Sequence, residues 1–116
     1  MDEARARELL AAERARIEHE LRELRPEDTG ELTDVDPQHF ADRGTELYDD
    51  EFRAGRLDDL REELRAVERA EARLDAGTYG RSVESGSPIP DERLEARPTA
   101  ERTVEEEAAL EGRSPR

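Results

Sequence analysis

From Leu57 onward, the residues Leu57, Leu60, Leu64, Val67, Glu71 and Leu74 are spaced 3, 4, 3, 4 and 3 apart, and all but Glu71 are apolar. This alternation keeps one narrow stripe of an α-helix turned toward a neighbouring helix in a coiled coil. Such a stripe has to be covered, so the chain must supply a second amphipathic helix or associate with one. Glu71 is the break in the seam. A buried carboxylate without a partner is costly, so the position predicts an arginine contact near the C-terminal lobe, with Arg93 and Arg97 as candidates.

The chain does supply a second helix. Asp2 to Arg25 contains no Gly or Pro, is dominated by Ala, Arg, Glu and Leu, and stops before Pro26, which predicts a helix over those residues. Leu10, Ile17 and Leu24 recur every seven residues, Leu21 fills an intermediate seam position and Leu9 widens the stripe. Arg14 takes the remaining slot, where its aliphatic stem can cover the partner helix while its head reaches water. Pairs at i,i+4 such as Glu3/Arg7 and Glu18/Arg22 add a few tenths of a kcal/mol each. Pro26 to Asp36 is a polar connection. Asp36-Pro37 then reads as a helix start, with aspartate as N-cap and proline in the first turn. Helix propensity holds from there to Ala76, weakened at Gly44 and Gly55 by ~1 kcal/mol each relative to alanine. Phe40, Leu47 and Phe52 do not continue the later register, which predicts a stutter or kink between Gly44 and Gly55. Residues 1–76 are thus expected to form a long antiparallel helical hairpin, with an acidic tip at about 26–46. Should the seam exceed what the shorter helix covers, self-association of a coiled coil is the expectation.

Composition agrees with a seam rather than a thick core. Of 116 residues, 45% are charged and 33% hydrophobic, with two Phe, two Tyr and no Trp, too little apolar surface for a large globular interior. All 19 basic residues are arginine, as a high-GC genome or a salt-adapted proteome would each produce, and the net charge is −14. That charge argues against direct binding of nucleic acid, which needs clustered cations, and suits a partner with a basic channel or groove. Residues 26–46 carry seven acids against Arg43, net −6, and are the most one-signed part of the chain. No apolar run approaches the length of a signal peptide or membrane span, so no membrane partner is expected and a soluble, cytoplasmic protein is.

Gly77 ends the long helix as a C-cap, and residues 77–111 form a small lobe: a tight hairpin around Gly80 to Gly86, a helical turn from Asp91 to Ala96, and a short helix through Ala108-Ala109-Leu110. Thr103-Val-Glu-Glu106 is a capping box opening that last helix. Tyr79, Val83, Ile89, Leu94 and Val104 are the candidate lobe core, and residues 112–116 read as a frayed tail. No catalytic constellation stands out. His19 and His39 are far apart, carboxylates are everywhere, and the glycines lack the strand, helix and lysine of a phosphate-binding loop. An enzyme is not the expectation, and no cofactor is implied.

The run Gly77-Thr-Tyr-Gly-Arg-Ser-Val-Glu-Ser-Gly86, continuing to Pro98, resembles the C-terminal lobe of the DksA/TraR family, in which Gly77, Tyr79, Gly80, Gly86, Ile89, Arg93, Leu94, Ala96 and Pro98 fall in register. The family's zinc-binding cysteine pairs would fall at Ser82 and Ser85 and at Thr103 and Glu106, and this chain has no cysteine. Serine hydroxyls are poor zinc ligands. The expectation is therefore a mostly α protein with a zinc-finger-like lobe that lacks zinc, holding its shape through hydrogen bonds from Ser82, Ser85, Thr103 and Glu106. The resemblance spans roughly residues 37–106. It implies a regulator that binds RNA polymerase through its secondary channel and alters transcription initiation without binding DNA. The family's acidic motif at the start of the second helix falls on His39-Phe-Ala-Asp42-Arg-Gly44, where Asp42 keeps the aspartate, His39 replaces one and Gly44 replaces an alanine; Asp34 and Asp36 keep the neighbourhood acidic. The alternative is a non-enzymatic hairpin or scaffold that retains the fold without the polymerase activity.

Overall fold

The computed structural model of the protein describes residues 1–24 and 43–113, with 43–49 described by backbone alone. Among these residues the chain is mostly α: α1 runs Glu3–Leu24, α2 Arg43–Ala76, α3 Asp91–Ala96 and α4 Val104–Arg113. The connection from Pro26 and the helix start expected at Asp36-Pro37 lie outside the described residues. No described helix is long and apolar enough to cross a membrane.

Local chemistry explains the helix ends. Asp2 caps α1, its Oδ1 accepting from the Arg5 backbone N–H at 2.7 Å, the position at which an N-cap side chain satisfies an otherwise orphaned donor. At the other end of α2, Gly77 takes φ 81°. Its N–H donates to the Leu74 carbonyl at 3.2 Å and the Thr78 N–H to the Arg73 carbonyl at 2.8 Å. This pair of bonds is the Schellman arrangement, which glycine adopts without the steric cost of a Cβ. α2 runs as one continuous α-helix across Gly44 and Gly55, where the sequence predicts a stutter or kink. Phe52 is exposed, while Leu57 is half-buried and Leu60 buried; Phe40 lies outside the described residues and Leu47 is described by backbone alone.

The described chain divides into two compact units, residues 15–64 and residues 1–14 with 65–116. In the first, the later part of α1 and the earlier part of α2 lie antiparallel, since Arg16 meets Glu63 at 3.1 Å and Glu20 meets Arg56 at 2.8 Å. Among its described residues Ile17 and Leu60 are fully buried. The second unit contains another antiparallel stretch, in which Arg7 meets Asp75 at 3.0 Å and Arg14 meets Glu71 at 2.7 Å. Ala6, Leu10, Val67 and Ala70 are buried there.

Arg14 and Glu71 correct two expectations. Glu71 pairs with neither Arg93 nor Arg97 but with Arg14, which donates from Nε at 3.3 Å and from Nη2 at 2.7 Å to the two carboxylate oxygens. The Arg14 head accordingly meets a carboxylate where the sequence suggested water. The polar break in one seam lies against the polar break in the other, and the bidentate geometry suits guanidinium and carboxylate.

The lobe core differs in part from the expected set. Ile89, Leu94 and Ala100 are its buried residues, with Tyr79 and Met1 packed against them. Val83 and Val104 are instead exposed, at 50% and 56%. Beside Val83 it is Ser82 that is buried, with its hydroxyl bonded to Glu106.

Candidate functional site

The lobe begins with a tight loop. Ser82 N–H donates to the Ser87 carbonyl at 2.8 Å, Gly86 N–H to the Ser82 carbonyl at 2.9 Å, and Ile89 N–H to the Gly80 carbonyl at 2.8 Å. Arg81 and Pro88 form an antiparallel bridge across its base. Gly86 closes the loop at φ 78°, a left-handed conformation that side-chain-bearing residues rarely adopt. The hydroxyl of Ser82, which is only 5% exposed, accepts from the Glu84 and Ser85 backbone N–H groups at 3.0 and 3.2 Å. It donates to Glu106 Oε1 at 2.5 Å. A hydroxyl has one proton and two lone pairs, and here all three are used.

Glu106 is the meeting point of the loop and α4. Its Oε1 also accepts from the Thr103 backbone N–H at 3.0 Å, while its own N–H donates to Thr103 Oγ1 at 3.2 Å. Thr103 and Glu106 thus make both bonds of a capping box at the start of α4. Its Oε2 accepts from the Ser85 hydroxyl at 2.5 Å, and the Ser85 oxygen in turn accepts from the Ser87 N–H at 3.2 Å. Hydrogen bonds from the Ser82 and Ser85 hydroxyls, and then from Thr103, hold the Glu106 carboxyl down at about 2. All three donors favour its charged form.

The surrounding residues brace this centre. Arg93 Nε donates to the Arg102 carbonyl at 2.9 Å, Arg102 pairs with Glu84 at 3.0 Å, and the Val83 N–H donates to the Glu101 carbonyl at 2.8 Å. Glu101 receives Arg69 at 2.9 Å and Arg73 at 3.0 Å from α2. The Tyr79 hydroxyl donates to the Pro98 carbonyl at 2.8 Å, and burial of the ring raises its pKa. Arg5 of α1 holds Glu95 of α3 through two bonds, at 2.9 and 2.7 Å. The Glu101 and Glu95 contacts join residues 28 to 90 positions apart, and no local sequence signal marks them.

The four positions at which a zinc ion would be expected are therefore brought together, but their donors do not suit it. Ser82, Ser85 and Thr103 offer neutral hydroxyls, and both oxygens of the single carboxylate are already bonded to those residues. Zinc in a structural site takes thiolate, imidazole or free carboxylate donors. Among the described residues no group of His, Cys, Asp and Glu is arranged to hold a metal. Of the candidate tip residues, Asp34, Asp36, His39 and Asp42 lie outside the described residues; Gly44 is placed in the first turn of α2 by its backbone.

No family model matches the chain. It is 42% identical over 86 residues to general stress protein 16O of Bacillus subtilis, covering 73% of this chain and 52% of that protein. It is 45% identical over 71 residues to the uncharacterized protein YteA of the same organism, covering 61% of this chain and 29% of that one. The chain thus spans about half the length of the first relative and under a third of the second. Among solved structures it is similar to the transcription factor DksA2 from Pseudomonas aeruginosa, at 32% identity and TM-score 0.69, covering 96% of this chain and 84% of that one. With that likeness over 96% of this chain and 84% of the other, and with the lobe framework of glycines, Tyr79, Ile89, Arg93 and Leu94 in place, the chain belongs to the DksA/TraR family.

Proposed function

We propose that this protein is a DksA-type regulator that binds RNA polymerase through its secondary channel and modulates transcription initiation without binding DNA. The observation that carries the reading is the likeness to DksA2, a transcription factor, over 96% of the chain. Charge supports it. In the described residues Arg5, Arg7, Arg14, Arg16, Arg56, Arg69, Arg73 and Arg102 each face a carboxylate of the same chain. Cations spent in this way do not form the unpaired cluster that a phosphate backbone requires. The residues 26–46, at net −6, would be steered toward a basic channel by long-range attraction. In this reading the protein is not an enzyme, uses no cofactor, and acts in the cytoplasm where its partner is. Asp42 would act electrostatically near the polymerase catalytic metal, with Asp34, Asp36, His39 and Gly44 shaping the tip.

The test compares wild type with Asp42→Asn in a polymerase pull-down and an in vitro initiation assay. Retained binding with altered initiation is the expected result. His39 and Gly44, which depart from the family's acidic motif, favour a second reading: an interaction or scaffold protein that keeps the fold alone. If deletion of the whole tip changes neither binding nor initiation, that reading replaces the first.

A further inference from the structure

We propose that the Glu106 carboxylate takes the place of a metal ion at the centre of the lobe, so that the loop and α4 are joined by a side chain of the chain itself and the lobe holds its shape without zinc. A structural zinc site would draw two donors from the loop, at 82 and 85, and two from the start of α4, at 103 and 106. The same four positions are linked here, with a carboxylate as the node. Ser82 and Ser85 reach it from 24 and 21 residues away, so the connection is tertiary, as a metal's would be. Each serine hydroxyl lies 2.5 Å from a different carboxylate oxygen, the short distance of a charge-assisted bond. Thr103 ties the same carboxylate to the backbone on which α4 starts.

Two features make the node self-sufficient. The Ser82 hydroxyl is almost fully buried and has every lone pair and its proton engaged, so the loop is folded around an acceptor rather than around an open ligand position. The carboxylate also sits in the first turn of α4, where the helix dipole favours negative charge. The chain has no cysteine, so a thiol oxidant has no group to act on in this lobe. The inference concerns how the lobe is held and is independent of the polymerase reading.

The experiment has three arms, all on the full chain. Protein purified from zinc-replete cells is expected to carry no stoichiometric zinc and to melt at the same temperature with and without chelator; one zinc per chain, or a lower Tm on chelation, overturns the proposal. Glu106→Ala and Glu106→Gln are both expected to lower the Tm, the second because its amide replaces one acceptor by a donor that faces a hydroxyl. An unchanged Tm in Glu106→Gln overturns the carboxylate as the node. The variant Ser82→Cys/Ser85→Cys/Thr103→Cys/Glu106→Cys is expected to bind one zinc and to acquire a chelator-sensitive Tm. A quadruple variant that folds by circular dichroism yet takes up no zinc shows that the four positions do not meet at one point and overturns the proposal; where it does not fold, the Tm of Glu106→Gln decides.

Discussion

Arg14 and Glu71 each interrupt an apolar seam, and in each case the interruption is resolved by the other. Their side chains keep 30% and 34% of their exposure, so water still screens the pair, and its coupling should be small. A double-mutant cycle with Arg14→Ala and Glu71→Ala is expected to give under about 1 kcal/mol of coupling energy in urea denaturation. Replacing both by leucine completes the seam and should raise stability by about 1–3 kcal/mol; a loss would mean that the pair sets the helix register. Glu106 yields a pH prediction. Its folded pKa, about 2, lies below the ordinary value of ~4.3 for an unfolded glutamate. Its contribution is therefore present above the unfolded value and is lost as pH falls from ~4.3 toward ~2. Glu20 and Glu95, lowered by hydrogen bonds from Arg56 and Arg5 respectively, act in the same direction. Acid unfolding followed at the Tyr79 ring resonances should be shifted in Glu106→Gln, which no longer titrates at that position.

Two element ends were readable in the sequence, because capping is chemistry within a few residues; the start expected at Asp36-Pro37 lies outside the described residues, and the last helix continues to Arg113 where a frayed tail was expected from 112. Gly77 and the Thr103/Glu106 box could be placed from local spacing, and both form the predicted bonds. They also differ in how they stabilise. A Cβ at Gly77 would meet nothing within 4 Å, so Gly77→Ala should cost about 1–2 kcal/mol through its left-handed backbone alone. Thr103→Ala should cost about 1 kcal/mol through the lost cap. Chemical denaturation of the two variants checks both; a neutral Gly77→Ala would show that the helix end relaxes to another geometry. Packing within the elements was less readable. Ala6, Ala70 and Ala100 are buried, but alanine carries no signal in a chain where it is also a common exposed helix former. Val83 and Val104 carried the apolar signal and are exposed.

For the whole molecule, the acidic surplus rather than any single pocket bears on the choice of partner. Under the proposed function, association with polymerase should weaken as salt rises, because exposed charges separated by more than ~10 Å are largely screened at 0.1 M ionic strength; affinity that is flat across a salt titration would remove steering by residues 26–46 from that proposal. Helical character, the seam from Leu57 to Leu74, the helix stops and the lobe framework were determined by the sequence alone. They depend on propensity, on periodicity and on caps that reach three or four residues. Three outcomes belonged to the tertiary structure: Arg14 answering Glu71 across 57 residues, Arg5 holding Glu95 across 90, and two serines converging on the carboxylate of Glu106. In a chain with 19 arginines and 33 acids, every charge has many partners of opposite sign within plausible reach. Side-chain chemistry does not rank them; the register in which the backbone brings distant segments together does.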